Sequence, residues 1–201
     1  MDFWAFEKTA AKSGFSVIAG VDEAGRGPLA GPVVSAAVVL PGSVDIQGIN
    51  DSKKLRPRKR SVLYKQIYDC AIAVGIGIVG PERIDRINIL QASLLSMLMS
   101  VDCLYPQPDC LLIDGLYKTQ SPLPQYPITK GDSRSISIAA ASIIAKVTRD
   151  RLMSSYDTIY PQYGFSKHKG YPTKMHKAAI RTFGSTPIHR KSFRGVKEQH
   201  S

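Results

Sequence analysis

The sequence predicts an α/β fold, a mixed sheet with helices packed against it. Three observations carry that prediction. Valine- and alanine-rich runs broken by glycine recur through the first eighty residues. Apolar residues spaced three and four apart then mark long helices, and a short apolar run at 111–113 falls between two of them. The length of 201 residues fits a single domain spanning 1–201, with a core over about 16–155 and a C-terminal helical extension over about 156–201.

Taken in order, residues 16–22 and 33–40 read as two strands. Between them, Gly25-Arg26-Gly27-Pro28-Leu29-Ala30-Gly31-Pro32 forbids a regular element, so the pair is expected to be an opening hairpin with an elaborate loop. Residues 56–68 carry Val62, Leu63 and Ile67 at helical spacing, and 71–79 alternates around Gly75 and Gly77 as a third strand. The stripe Ile87, Leu90, Leu94, Leu95, Leu98 predicts an amphipathic helix over 85–101. Leu111-Leu112-Ile113 is a buried strand ended by the turn signal Asp114-Gly115. After a proline-rich connection, 135–156 reads as a long helix, and 173–183 as another that Gly184 terminates.

Composition restricts the function. Lys and Arg number 27 against 16 Asp and Glu, a formal charge of +11, which points to polyanionic partners. No run approaches the ~18 apolar residues of a membrane span, and the acidic-first start lacks the basic segment of a secretory signal. The three cysteines Cys70, Cys103 and Cys110 form no C-x-x-C pair, which suits a reducing compartment and buried thiols. The protein is expected in the cytoplasm, as a monomer.

In so basic a chain, acids at strand ends stand out. Asp22 and Glu23 end the first strand, Asp114 ends the run 111–113, and Asp132 precedes the long helix. Clustered carboxylates raise one another's pKa unless a cation joins them. Mg²⁺ and Mn²⁺ favour such oxygen ligands, and a pair of ions can clamp both oxygens of a phosphoryl displacement. Spacing alone leaves other roles open: Asp22 as a loop cap, Asp114-Gly115 as an ordinary turn, Asp132 at a helix N-terminus. Adjacent strand residues also point to opposite faces, so Asp22 and Glu23 can share one site only at a strand end or a distortion. A non-catalytic basic nucleic-acid binder would explain the charge but not the acids.

The run Gly20-Val21-Asp22-Glu23-Ala24-Gly25-Arg26-Gly27-Pro28-Leu29-Ala30-Gly31-Pro32-Val33-Val34 resembles the signature of bacterial ribonuclease HII. Asn50-Asp51-Ser52-Lys53-Lys54-Leu55, Leu112-Ile113-Asp114-Gly115, Lys130-Gly131-Asp132-Ser133, the block 140–150, Lys169-Gly170-Tyr171-Pro172-Thr173 and His189-Arg190-Lys191-Ser192-Phe193 resemble that family's remaining blocks, in its order. The resemblance implies a ribonuclease H-like fold with a five-stranded mixed sheet. It implies hydrolysis of the RNA strand of RNA·DNA hybrids and incision 5′ to ribonucleotides embedded in duplex DNA, by two-metal-ion catalysis. Asp22, Glu23, Asp114 and Asp132 would hold Mn²⁺ or Mg²⁺, while Gly25, Arg26, Gly27, Lys53 and Tyr171 would contact substrate.

Beyond those residues, 56–60 and His189-Arg190-Lys191 are expected to touch phosphates, and Asp150 to pair with Lys146. Two departures from the family pattern stand out. Arg56-Pro57 replaces the hydroxyl residue that would cap the first predicted helix, and the loop 116–125 lacks an asparagine after Gly115.

Overall fold

The computed structural model describes residues 2–42, 44, 46–49, 52 and 55–199. Five strands, β1 (Ile18–Ala24), β2 (Val33–Val39), β3 (Ala73–Val79), β4 (Cys110–Asp114) and β5 (Gln125–Ile128), form one sheet in the order β3-β2-β1-β4-β5. The β1–β2 and β2–β3 pairs are antiparallel, whereas β4 runs parallel to both β1 and β5. The expected hairpin and mixed sheet are therefore present. The short strand β5 had no signal in the residue pattern: it is four residues long, contains Pro127, and occupies the sheet edge where a missing N–H is tolerated.

The helices are α1 (Ala5–Lys12), α2 (Pro57–Cys70), α3 (Pro81–Asp102), α4 (Ile136–Ile159), α5 (Phe165–His168) and α6 (Lys174–Phe183). α2 and α4 cover one face of the sheet, burying Leu63, Ile67, Ile143 and Ile144 against Ala36 and Val38. α3 covers the other, with Met97 and Val101 against Val21, Ala37 and Ile113. Among the described residues, no helix is long and apolar enough to cross a membrane.

Two close approaches fix where the helices sit. A Cβ on Gly20 of β1 would collide with the Ser137 backbone, so the start of α4 lies directly on the central strand. That start is capped by Ser135, whose hydroxyl oxygen accepts from the Ile138 N–H. It is also clamped by α1. The buried Glu7 carboxylate accepts from the Ser135 hydroxyl at 2.5 Å, the Ser137 hydroxyl at 2.6 Å and the Ser137 N–H at 3.1 Å. On the opposite face, Cβ atoms on Gly75 and Gly77 would collide with the Ser100 and Ser96 carbonyls of α3.

This second approach reverses the expected orientation of α3. Its most buried residues include Ala92, Ser93, Ser96 and Ser100, while Leu94, Leu95 and Leu98 are only half-buried. A helix lying on glycines needs a small-residue face, and the leucine stripe is displaced to its flank. The helix is also broken at Asn88, which adopts φ 65°; its Oδ1 accepts from the Leu90 and Gln91 N–H groups and restarts the second segment. At α2, the expected absence of a hydroxyl cap holds: Arg56 makes no side-chain cap bond and Pro57 opens the helix.

Gly77→Ala pushes a methyl into the Ser96 carbonyl. Urea unfolding should report a loss of about 1–3 kcal/mol, the usual cost of overpacking a tight contact.

Candidate active site

Parallel pairing of β1 with β4 runs from Ile18 opposite Cys110 to Val21 opposite Ile113, so Asp22 and Asp114 emerge side by side at the carboxyl ends of adjacent strands. Asp132 arrives from a single 3₁₀ turn, Gly131–Ser133, that leads into α4. Asp114 itself holds this turn, its Oδ1 accepting from the Gly131 N–H at 2.7 Å and the Asp132 N–H at 3.4 Å. The outcome is a triad: one carboxylate oxygen each from Asp22, Asp114 and Asp132 lies within 4.8 Å of the others.

Asp22 and Asp132 are buried and Asp114 is half-buried. Burial raises the Asp22 carboxyl well above the usual aspartate range, and the neighbouring Glu23 and Asp114 charges raise it further. Hydrogen bonds from the Ser142 hydroxyl and the Glu23 N–H oppose that shift. Ser142 in turn bonds the Ser52 hydroxyl at 2.9 Å, which places Ser52 beside the support of the acids. Lys53, a sequence-derived substrate contact, lies outside the described residues, as does Lys54.

Glu23 stands beside the triad. β1 stays regular through Ala24, with Asp22 opposite Ala36 and Glu23 opposite Ser35, and the chain turns only at Gly25 with φ 101°. Strand alternation therefore puts Glu23 on the α3 side with Ser35, whose hydroxyl meets Ser96. The Glu23 Oε1 lies 3.5 Å from Arg26 Nη1.

Next to the acids, the loop 25–32 is held by two arginines that the sequence reading did not place there. Arg149 is 1% exposed and donates to the carbonyls of Ala30, Pro32 and Lys169 at 2.9–3.0 Å. Arg190 is 0% exposed and donates to the carbonyls of Gly25, Arg26 and Gly31 at 2.6–3.0 Å. His189 and Arg190 are therefore interior groups, which corrects the expectation that they touch phosphates. A signal for Arg149 existed: it continues the buried i,i+4 stripe Ala141, Ala145, Arg149, Met153 of α4. In a trans peptide the N–H points opposite the C=O. With the Gly25 and Arg26 carbonyls turned in to Arg190, the Arg26 and Gly27 amides point outward.

Tyr171 comes to the same place. The residue is 41% exposed, its ring lies 3.7 Å from where a Gly27 Cβ would stand, and Lys146 Nζ is 5.9 Å from the ring centroid. From there an open groove of about 720 Å³ runs between α2, α4 and α5, lined by Arg60, Lys146, Arg151, Lys167 and Lys169 with Asp150 as its only acid among the described residues. Asp150 pairs with Lys146 at 2.8 Å, as expected from spacing, and also with Arg60 at 3.6 Å.

A mixed sheet that gathers carboxylates at the ends of two parallel strands, inside a strongly basic chain, defines a phosphodiester-cleaving enzyme of the ribonuclease H class. The family model described as Ribonuclease HII matches residues 19–196. The ribonuclease HII of Geobacter sulfurreducens is 58% identical over 195 residues, covering 97% of this chain and 90% of that protein. That of Enterococcus faecalis is 55% identical over 193 residues, covering 96% and 75%. Among solved structures, the ribonuclease H2 from Pyrococcus horikoshii OT3 superposes with a TM-score of 0.76 at 26% identity, covering 92% of this chain and 97% of that one. This chain belongs to the ribonuclease HII family.

A buried carboxyl raised in the folded state favours folding most at pH below its unfolded value of 3.8, and that contribution is lost as pH rises through the higher folded value. At pH 7 without metal, Asp22 is thus a source of instability. Asp22→Asn should raise the melting temperature of metal-free protein at pH 7 by about 2–4 °C, a gain that calorimetry at pH 3.5 should no longer show.

Proposed function

We propose that the chain cleaves RNA within RNA·DNA hybrids and incises 5′ to ribonucleotides embedded in duplex DNA, leaving 5′-phosphate and 3′-hydroxyl ends. The observation that carries this reading is the convergence of Asp22, Asp114 and Asp132 within 4.8 Å in a chain of charge +11. An all-oxygen donor set whose Asp22 carboxyl is raised by burial and then by its like-charged neighbours fits hard divalent cations. Asp22, Asp114 and Asp132, with Glu23 beside them, would hold Mn²⁺ or Mg²⁺. When bound, such ions supply activation of water and stabilisation of the departing 3′ oxygen.

The remaining work falls to the chain. Asp114 fixes the Asp132 turn through two amides, so the carboxylates are set before substrate arrives. The outward Arg26 and Gly27 amides, with no side chain on Gly27, are suited to a ribose 2′-hydroxyl, the group that separates RNA from DNA. The Tyr171 ring beside Gly27 is suited to packing on the following deoxyribose, where an added hydroxyl would collide. The basic groove beyond it would carry phosphates without reading sequence. Lys53 is retained as a substrate contact on the family resemblance.

We take residues 1–201 as one catalytic unit, a core over about 16–155 and a substrate-binding extension over about 156–201. Arg149 from the core and Arg190 from the extension grip the same loop, which supports that reading. We also take the chain to act as a monomer. The cysteines Cys70, Cys103 and Cys110 are unpaired, which supports the cytoplasm.

The test is cleavage of a labelled DNA duplex carrying one ribonucleotide, with Mn²⁺ or Mg²⁺, beside an all-DNA control. Wild type should cut 5′ to the ribonucleotide and spare the control, Asp132→Asn should lose about 10³-fold or more in rate, and chelation should abolish cutting. Equal cutting of the all-DNA duplex would remove the 2′-hydroxyl reading. For the groove, the double substitution Lys167→Glu, Lys169→Glu should weaken duplex binding. It should also flatten the slope of log affinity against log salt by about 1 to 2.

A further inference from the structure

Three histidines, His168, His176 and His189, are buried together around Phe165, at 8%, 0% and 1% exposure. The sequence reading gave His168 and His176 no role and His189 a phosphate contact that its burial rules out, and neither the acid cluster nor the groove uses them. Their hydrogen bonds have a forced direction. The Thr186 backbone N–H can only donate, and it donates to His189 Nδ1 at 2.9 Å. In the neutral ring, His189 must then carry its proton on Nε2, which lies 3.0 Å from His176 Nε2. His176 accepts there, so its own proton sits on Nδ1, which faces the Tyr171 carbonyl oxygen at 3.0 Å. His168 is set in the same way, accepting from the Gly170 N–H at Nδ1 and donating from Nε2 to the Tyr163 carbonyl.

The chain Thr186 to His189 to His176 thus ends on the backbone of Tyr171. That residue is gripped on both sides, since its N–H donates to the His168 carbonyl and its carbonyl also accepts from the Thr173 N–H. The relay works only while the rings are neutral. Burial, with the nearby His168, pulls His176 down to about 4, so the ring stays neutral through the physiological range. The residue next to His189 is Arg190, whose guanidinium holds the Gly25 and Arg26 carbonyls. One short segment therefore grips both sides of the space between the Gly25–Gly27 loop and the Tyr171 ring.

We propose that His176 and His189 are positioning residues for ribonucleotide selectivity: a neutral imidazole relay from Thr186 that fixes the Tyr171 backbone, and through it the ring, against the Gly25–Gly27 loop. This rests on the reading of Tyr171 as the residue that senses the deoxyribose after a ribonucleotide. A ring displaced by even about 1 Å loses selectivity long before the fold is lost.

The readout is the ratio of kcat/KM on a duplex with one embedded ribonucleotide to kcat/KM on a continuous RNA·DNA hybrid. His176→Phe keeps the ring and its packing but removes both hydrogen bonds. His176→Asn loses the ring but places an amide N–H near the Nδ1 position. Asn keeps the bond to Tyr171 but not the one from His189, so the relay predicts that Phe lowers the ratio about tenfold, as expected for a lost buried hydrogen bond, and that Asn lowers it by less. A packing role predicts the reverse order. An unchanged ratio in the Phe variant, or an equal fall in both variants, overturns the inference. Tyr171→Ala separates the two layers: if it leaves the ratio intact, the reading of Tyr171 itself fails, and if it lowers the ratio while His176→Phe does not, only the relay fails. Ring ¹⁵N spectra of the wild-type protein at pH 7 give a check that needs no variant. His176 should be protonated on Nδ1 and His189 on Nε2, and the opposite tautomers would overturn the relay.

Discussion

Mutual repulsion among Asp22, Asp114 and Asp132 is the constraint around which the rest of the structure is arranged. Two unit charges 4.8 Å apart repel by about 3.5 kcal/mol at an effective dielectric of 20, and in this triad each pair of carboxylates has oxygens within that distance. The surroundings meet that cost with dipoles and rigidity. Amides of Glu23, Gly131 and Asp132 donate to the carboxylates, and the carboxylates ride on two hydrogen-bonded strands and a turn tied to one of them. Dipoles satisfy lone pairs without cancelling charge, so the site keeps a demand for cations that the raised Asp22 carboxyl registers. The same demand explains why the supports around it are so stiff. Gly20 lets α4 lie on β1, and Glu7 locks the start of α4, within a few residues of Asp132.

Positive charge is divided between two different tasks. On the surface, lysines and arginines line an open groove in which a phosphate backbone would remain partly hydrated. Inside, Arg149 and Arg190 are buried with six carbonyl contacts between them, and burial pulls both guanidiniums below their usual range. A buried cation is costly unless its donors are satisfied, and the planar arginine fork can reach three carbonyls from one side chain where a lysine cannot keep that geometry. The return is loop shape: carbonyls face inward, and the Arg26 and Gly27 amides are left facing solvent.

This division decides what was legible in the sequence. Strand-end acids stand out in a basic chain because their cost demands a reason, and the family blocks fixed which ones to choose. How Asp22 and Glu23 differ was visible only as a warning from strand alternation, and the regular register of β1 through Ala24 gives that warning its content. Arg190, beside Lys191 and next to His189, read as a phosphate contact because nothing in a local run distinguishes a solvated cation from a buried one. Arg149 could have been found from the stripe it shares with Ala141, Ala145 and Met153. The leucines of α3 misled for a related reason: periodicity locates an apolar face, but Gly75 and Gly77, on the strand against which the helix packs, decide that a serine face is the one pressed to the sheet. β5 and α1 carried too little pattern to be seen at all.

In the proposed reading, catalysis and selectivity have different structural origins in this chain. The acids depend on contacts within the core, β1 against β4 and the Asp132 turn against Asp114. The loop and ring that face them depend on contacts between the core and the C-terminal segment: Arg190 to Gly25 and Arg26, Leu29 N–H to the Gly170 carbonyl, and the histidine chain from Thr186 to Tyr171. A shift of that segment would move both the Gly25–Gly27 loop and the Tyr171 ring while leaving the carboxylates in place. Discrimination by a single hydroxyl depends on geometry finer than the size of the group it senses. In the proposed reading that geometry is set by short hydrogen bonds to backbone carbonyls, which join the core to the C-terminal segment.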